Sequence, residues 1–276
     1  MFQISGDVFQ TVGLISRRHN RRTVHKVAHC PTGALFALKS IPLDADGGRR
    51  FSAVQPRRES VLLLDLDHAN VVRCHGVAED RHGGELKLLL EYMDGGSLAG
   101  KKISDVGRLA SIAGQVLEGI AYLHGRWAPH WDVKPSNILL AGHVAKIADF
   151  GASRYLNTIR DKSEFVDAVS YMSPERIEGE LNVVVRDLYG FASDIWGFGM
   201  SLLEAYLGEY PIGGGGRADC STLMAMICGA EPPEAPATAP AEFRDFISCC
   251  LRREPMARWS AAELLSHPFI LHGKRI

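Results

Sequence analysis

The stretch His130-Trp131-Asp132-Val133-Lys134-Pro135-Ser136-Asn137-Ile138-Leu139-Leu140 constrains this chain more than any other. It puts a carboxylate, an ammonium and an amide within six residues, then enters an apolar run with strand character. Nine residues beyond Asn137, Lys146-Ile147-Ala148 leads into Asp149-Phe150-Gly151, a second carboxylate at a turn. Asn137 and Asp149 are hard oxygen donors of the kind that hold Mg2+ while the ion keeps several of its waters. A Pro-containing loop and an Asp-Phe-Gly turn can also do no more than join strands. The rest of the chain has to decide between the two.

Ahead of that stretch the pattern is short and alternating. Residues 8–30 read as a first hairpin, with a strand at Thr23-Val24-His25-Lys26-Val27. Ala34-Leu35-Phe36-Ala37-Leu38-Lys39-Ser40-Ile41 is the next strand, after a Pro31-Thr32-Gly33 turn. Arg58-Glu59 opens the apolar run Val61-Leu62-Leu63-Leu64, so a helix could offer Glu59 to Lys39 and hold that lysine extended. Two more strands are expected at Asn70–Val77 and Glu85–Leu90 around an Asp80–Gly84 turn, followed by Glu91-Tyr92-Met93-Asp94-Gly95-Gly96.

Beyond this point helical spacing takes over. Val106, Leu109, Ile112, Ala113, Val116, Leu117, Ile120 and Ala121 predict an amphipathic helix starting at Ser104 or Asp105. The segment from Asp194 through Leu207 is apolar nearly all round, as a buried helix should be. Phe243, Phe246, Ile247, Cys250 and Leu251 mark another helix. Ser260-Ala261-Ala262-Glu263 is a capping box for the last one, which Pro268 should end. Gly213–Gly216 and Glu231–Pro240 read as loops.

Taken together these motifs resemble the protein-kinase family, whose catalytic loop reads H-R-D-x-K-x-x-N and whose metal loop reads D-F-G. Tyr171-Met172-Ser173-Pro174-Glu175-Arg176 and Glu91-Tyr92-Met93-Asp94-Gly95-Gly96 narrow the resemblance to MAP kinase kinases, most like the plant members. The resemblance runs from about Phe9 to Phe269. It implies an α+β, two-lobed kinase fold: a small β-rich N-lobe with one regulatory helix (about 1–91) and a larger, mainly α-helical C-lobe (92–276), with a nucleotide cleft near Glu91–Met93.

The resemblance also assigns roles. Asp132 would take or orient the proton of the substrate hydroxyl, Lys134 would steady the moving phosphoryl group, and Asn137 and Asp149 would hold Mg2+. Lys39, paired with Glu59, would grip the ATP phosphates. Val24, Ala37, Leu90, Glu91, Met93 and Leu139 would line the nucleotide site, with Leu90 as gatekeeper behind the adenine. Arg258 would pair with Glu175. The implied reactants are ATP, Mg2+ and the hydroxyls of a MAP kinase, with a MAP kinase kinase kinase upstream and neither nucleic acid nor membrane as partner. The implied location is cytoplasmic, with the nucleus as a second.

Several positions depart from the family. The three glycines of the phosphate-covering G-x-G-x-x-G loop fall at Arg17, His19 and Arg22. Glycine serves there because the chain turns tightly against phosphate, and side chains are costly wherever φ must be positive. The run Arg17–Arg22 reads otherwise as a solvated loop or a basic patch for a partner. The catalytic-loop arginine is Trp131. The activation-loop phosphosites fall at Thr158 and Glu164, beside Ser163, and the family's Gly-Thr pair is Asp167-Ala168. A carboxylate at 164 carries about one unit of charge against nearly two for phosphate. These changes imply weak or atypically regulated transfer. The alternative is a pseudokinase that binds or scaffolds within a MAP kinase cascade.

Composition adds exclusions. A net charge of −1 over 276 residues gives no general attraction to nucleic acid or anionic lipid. The N-terminus lacks a basic-then-apolar leader pattern. The six cysteines show no C-x-x-C spacing. With four in apolar surroundings, buried free thiols are expected in place of a zinc site.

Overall fold

The computed structural model describes residues 4, 8–17, 22–43, 60, 63–80, 84–149, 166, 169–179, 189–213 and 219–273. His19, Glu59, Phe150, Gly151, Thr158, Ser163, Glu164, Asp167 and Ala168, to which roles were assigned above, lie outside these residues. The chain divides into two compact units, Met1–Asp94 and Gly95–Ile276. One is built on a β-sheet and the other on helices, which is the α+β kinase architecture.

The first unit is a five-stranded antiparallel sheet: β1 (Phe9–Arg17), β2 (Thr23–His29), β3 (Leu35–Pro42), β4 (Cys74–Asp80) and β5 (Glu85–Glu91), in the order β1-β2-β3-β5-β4. Gly33, at φ +70°, makes the turn from β2 to β3 that Pro31-Thr32-Gly33 predicts. The strand expected at Asn70–Val77 begins only at Cys74 and runs on to Asp80. Asn70 instead turns, its N–H donating to His68 Nδ1 at 3.1 Å. Lys87 closes on Asp80 at 3.0 Å across the two strands, which extends the ladder at its far end.

Period-2 patterning sends alternate residues of these strands to opposite faces. Phe9, Val27, Phe36 and Leu89 pack as the core of one face, with Phe9 and Phe36 edge-on at 5.8 Å. On the other face the register sets Val24 opposite Lys39 and Ala37 opposite Leu90. Arg17 and Arg22 are absent from the positive-φ residues. The strain expected of side chains at these two glycine positions therefore does not arise, because Arg17 is still strand, paired with Thr23.

The second unit comprises α1 (Val106–His124), the strand pair β6 (Ile138–Ala141) and β7 (Val144–Ile147), α2 (Pro174–Glu178), α3 (Gly190–Leu207), α4 (Cys220–Gly229), α5 (Ala241–Cys250), α6 (Ala261–Leu265) and α7 (Pro268–Gly273). Asp105 caps α1, accepting from the N–H groups of Gly107 and Arg108. The apolar stripe of α1 is buried from Leu109 to Leu123. Two features differ from expectation. Pro268 begins a further helix instead of only ending one, since its fixed φ and missing N–H suit a first helical position. Three cysteines are buried (Cys74, Cys249 and Cys250) instead of four, because Cys220 and Cys228 on α4 are half-exposed; all six are free thiols.

Asp245, Cys249 and His267 bring one potential metal-ligand atom each to within 4.8 Å of one another. His267 Nδ1 accepts the Phe269 N–H, so the ring proton sits on Nε2 and donates to Asp245 Oδ2 at 3.1 Å. A protonated ring nitrogen cannot ligate a metal, and the cluster instead ties α5 to the C-terminal helices. Among the described residues no helix is long and apolar enough to cross a membrane.

Candidate active site

The site grows from Asp194, a carboxylate buried to 2% exposure in the first turns of α3. Its Oδ2 accepts from His124 Nε2 at 2.8 Å and from the His130 N–H at 2.7 Å; its Oδ1 accepts the Trp131 N–H at 2.7 Å. One side chain thus satisfies two buried backbone donors of the loop after α1, and anchors that loop on the central helix. Gly197 lets the loop approach α3 closely, since a Cβ there would lie 2.5 Å from the Val133 carbonyl oxygen.

His130 is fully buried and bridges two segments. Its Nδ1 accepts the Asp132 N–H at 3.2 Å, so Nε2 carries the proton and donates to the Ala148 carbonyl at 2.8 Å. Burial pushes the imidazole pKa down, against the opposing pull of Asp194, Asp132 and Asp149, and keeps the ring neutral. The Ala148 N–H in turn donates to the Asn137 carbonyl at 2.8 Å. Asp149, next in the chain, has φ +67°, an uncommon conformation for a non-glycine residue. Backbone bonds therefore bring the Asn137 loop and the residue preceding Asp149 together.

Asp132 is held at both oxygens. Lys134 Nζ lies 2.9 Å from Oδ1, and Asn137 Nδ2 donates to Oδ2 at 2.9 Å and to the Asp132 carbonyl at 2.8 Å. The resemblance gives a threonine hydroxyl at position 168 the task of bridging this aspartate and lysine; here the two meet directly. With its NH2 donating to Asp132, Asn137 keeps Oδ1 as an acceptor, an oxygen of the type Mg2+ takes. The donor set of this unit therefore fits a Mg-nucleotide: Asn137 and Asp149 for the ion, Lys134 for phosphate.

In the sheet unit Lys39 is 8% exposed, and the register places it with Val24, Ala37 and Leu90 on one face. Met93 is buried just after β5, and the Glu91 N–H donates to the Arg73 carbonyl at 2.9 Å. Leu139 lies on β6 in the other unit, opposite Lys146 and bridged to Ser97. The predicted residues thus fall into two sets, one in each unit.

A protein kinase domain matches residues 21–270. The chain is 41% identical over 256 residues to mitogen-activated protein kinase kinase 9 of Arabidopsis thaliana, covering 91% of this chain and 81% of the relative. Mitogen-activated protein kinase kinase 7 of the same plant is 41% identical over 251 residues, covering 90% and 80%. The chain belongs to the MAP kinase kinase family of protein kinases. Asp132, Lys134 and Asn137, which the resemblance singled out, meet in the loop after α1, and the ion pair between Arg258 and Glu175 forms as the resemblance implied, at 2.9 Å.

Some residues that shape this kinase's site give little signal in sequence. Gly95 reads only as a loop residue, yet a Cβ there would lie 2.6 Å from the Leu140 oxygen, and its N–H donates to that oxygen. Arg176 stands out only as the end of Ser-Pro-Glu-Arg. In the structure it is buried and donates to the Trp131 carbonyl. Trp131 itself adopts φ +70°, a left-handed conformation that costs an ordinary residue roughly 1–2 kcal/mol. Sequence alone does not show that the loop can hold it there.

Proposed function

We propose that this kinase transfers the γ-phosphoryl group of ATP to hydroxyls in the activation loop of a MAP kinase, at a low intrinsic rate, and that a MAP kinase kinase kinase acts on it in turn. Its similarity to mitogen-activated protein kinase kinases 9 and 7 of Arabidopsis thaliana supports the substrate class. The observation that carries the chemistry is the fixing of Asp132 at both oxygens by Lys134 and Asn137.

In this reading Asp132 accepts the proton of the incoming hydroxyl as its oxygen bonds to the γ-phosphorus and the bond from that phosphorus to the bridging oxygen breaks, with ADP leaving. Lys134 would share the negative charge on the transferred group, and Asn137 and Asp149 would hold the metal ion. Bound Mg2+ neutralises charge on the phosphate oxygens. Lys39 would orient the phosphates, and Val24, Ala37, Leu90, Glu91, Met93 and Leu139 would enclose the base. The low rate rests on the sequence departures: Trp131 and Ala168 lack the guanidinium and hydroxyl of the residues they replace, and Arg17, His19 and Arg22 put side chains where the family's phosphate-covering loop has glycine. The cytoplasm, and secondarily the nucleus, is the proposed location, to be read by fractionation.

The test is radiolabel transfer from ATP to a panel of catalytically dead MAP kinases, with the acceptor residues mapped by mass spectrometry. Labelling confined to activation-loop threonine and tyrosine supports the reading. Nucleotide binding without transfer to any of them would favour the scaffold alternative.

A further inference from the structure

Trp131 stands immediately before Asp132 and is 4% exposed. Its backbone N–H is spent on Asp194 and its backbone carbonyl accepts from the Arg176 guanidinium. That guanidinium also lies 5.4 Å from the centre of the indole ring. The far edge of the ring fills the space over Gly190 at the start of α3: a Cβ built on that glycine would lie 2.7 Å from Cζ2 and 2.8 Å from Cη2 of Trp131, and 2.9 Å from Cγ of Pro129. An indole is rigid and this one is buried, so neither partner can yield cheaply.

We infer that Trp131 is a positioning residue for phosphoryl transfer: its ring, wedged between Arg176 and Gly190, holds the left-handed turn that presents Asp132 to the acceptor hydroxyl. The device is internal: a buried indole held by a buried guanidinium and a buried carboxylate. It joins the catalytic loop to α2 through Arg176 and to α3 through Gly190 and Asp194, and it requires no charged group from elsewhere. Asp132 is aimed by packing, so a misfit at Gly190 is felt at Asp132 through the indole.

Phenylalanine at 131 keeps an aromatic face for Arg176 but lacks Cζ2 and Cη2, the two atoms that meet Gly190. This supplies the experiment. The full chain and its Trp131→Phe, Gly190→Ala and double variants are compared for kcat, for KM of Mg-ATP in transfer to a generic protein acceptor, for thermal midpoint, and for amide exchange across residues 130–134. Trp131→Phe should lower kcat by about three- to tenfold and Gly190→Ala by about 30- to 100-fold, with KM for ATP within about twofold of wild type. The double variant should recover at least about threefold of the kcat lost in Gly190→Ala, because Trp131→Phe removes the two atoms closest to the new methyl group and leaves only Pro129 Cγ, at 2.9 Å, to give way. Exchange at 130–134 should rise in Gly190→Ala and fall back in the double variant.

A Gly190→Ala enzyme as active as wild type would overturn the proposal. So would a double variant no better than Gly190→Ala, or a loss of kcat with exchange at 130–134 unchanged. If Gly190→Ala does not fold, a double variant that also fails to fold counts against the wedge, since the clash would then have another source. If turnover is below detection, exchange decides: no change on Gly190→Ala rejects the wedge, and a rise reversed in the double variant supports it.

Discussion

Arg258 grips Glu175 with both arms of its guanidinium, at 2.9 and 3.2 Å, and the arginine side chain is wholly buried. The same guanidinium donates to the carbonyls of Ala192, Arg252 and Arg253, so one residue joins α2, the start of α3 and the segment before α6. Removing one partner of such a pair leaves a charge buried and unpaired. Arg258→Ala should cost about 3–5 kcal/mol in denaturant unfolding. Arg258→Lys should recover only part of that, because an ammonium cannot reproduce the planar fork. A loss below about 1 kcal/mol for the alanine variant would contradict this.

Gly197 is where the catalytic loop rests on α3. Alanine there would push a methyl group to 2.5 Å from the Val133 oxygen, which is backbone and cannot swing aside. The loop has to move, and Asp132 with it. Gly197→Ala should reduce kcat by about 100-fold with a much smaller rise in KM for ATP, measured by steady-state transfer.

His130 makes stability depend on pH. Its folded-state pKa lies below the ordinary 6.5, so under acid conditions the unfolded chain binds a proton that the folded chain refuses. Stability is therefore full above 6.5 and falls as pH drops below it. In His130→Gln that fall should be smaller by about one proton's worth of slope, whatever the variant's stability at neutral pH. Unfolding midpoints between pH 7.5 and pH 5 read this directly; equal slopes in wild type and variant would reject it.

Tyr171, just before Met172-Ser173-Pro174-Glu175, donates its hydroxyl to Glu204 Oε2 at 2.6 Å. Burial raises the Glu204 pKa, and the tyrosine bond opposes that rise. Tyr171→Phe should destabilise the fold by about 1–2 kcal/mol at neutral pH, where the carboxylate loses its donor. A raised carboxyl pKa favours the protonated form in the folded state, so the loss should shrink as pH falls towards 5. A loss that grows on acidification would show that Glu204 is not the partner that matters.

The regular elements were legible because their periods are clean. The alternation around Lys39 and the three- and four-residue spacing from Val106 to Ala121 each fit one kind of element, and Asp105 caps the second as a residue of its type should. The loop after α1 stood out by residue type, since an acid, a lysine and an amide at that spacing have few joint uses, and the structure brings the three side chains into contact. Close approach was not legible. Gly95, Gly190 and Gly197 look like any other glycines until the atoms facing their missing Cβ are known. Boundaries also slipped where side chains compete with the ladder, as at Asn70, whose N–H turns to His68.

The central proposal is that phosphoryl transfer requires each of Lys39, Asp132, Lys134, Asn137 and Asp149. Its most direct test is label transfer from Mg-ATP to a catalytically dead MAP kinase by wild type, Lys39→Met and Asp132→Asn, prepared side by side and shown to be folded. The account predicts slow but reproducible transfer by wild type and a loss of at least about 100-fold in each variant. Equal transfer by all three preparations would contradict it.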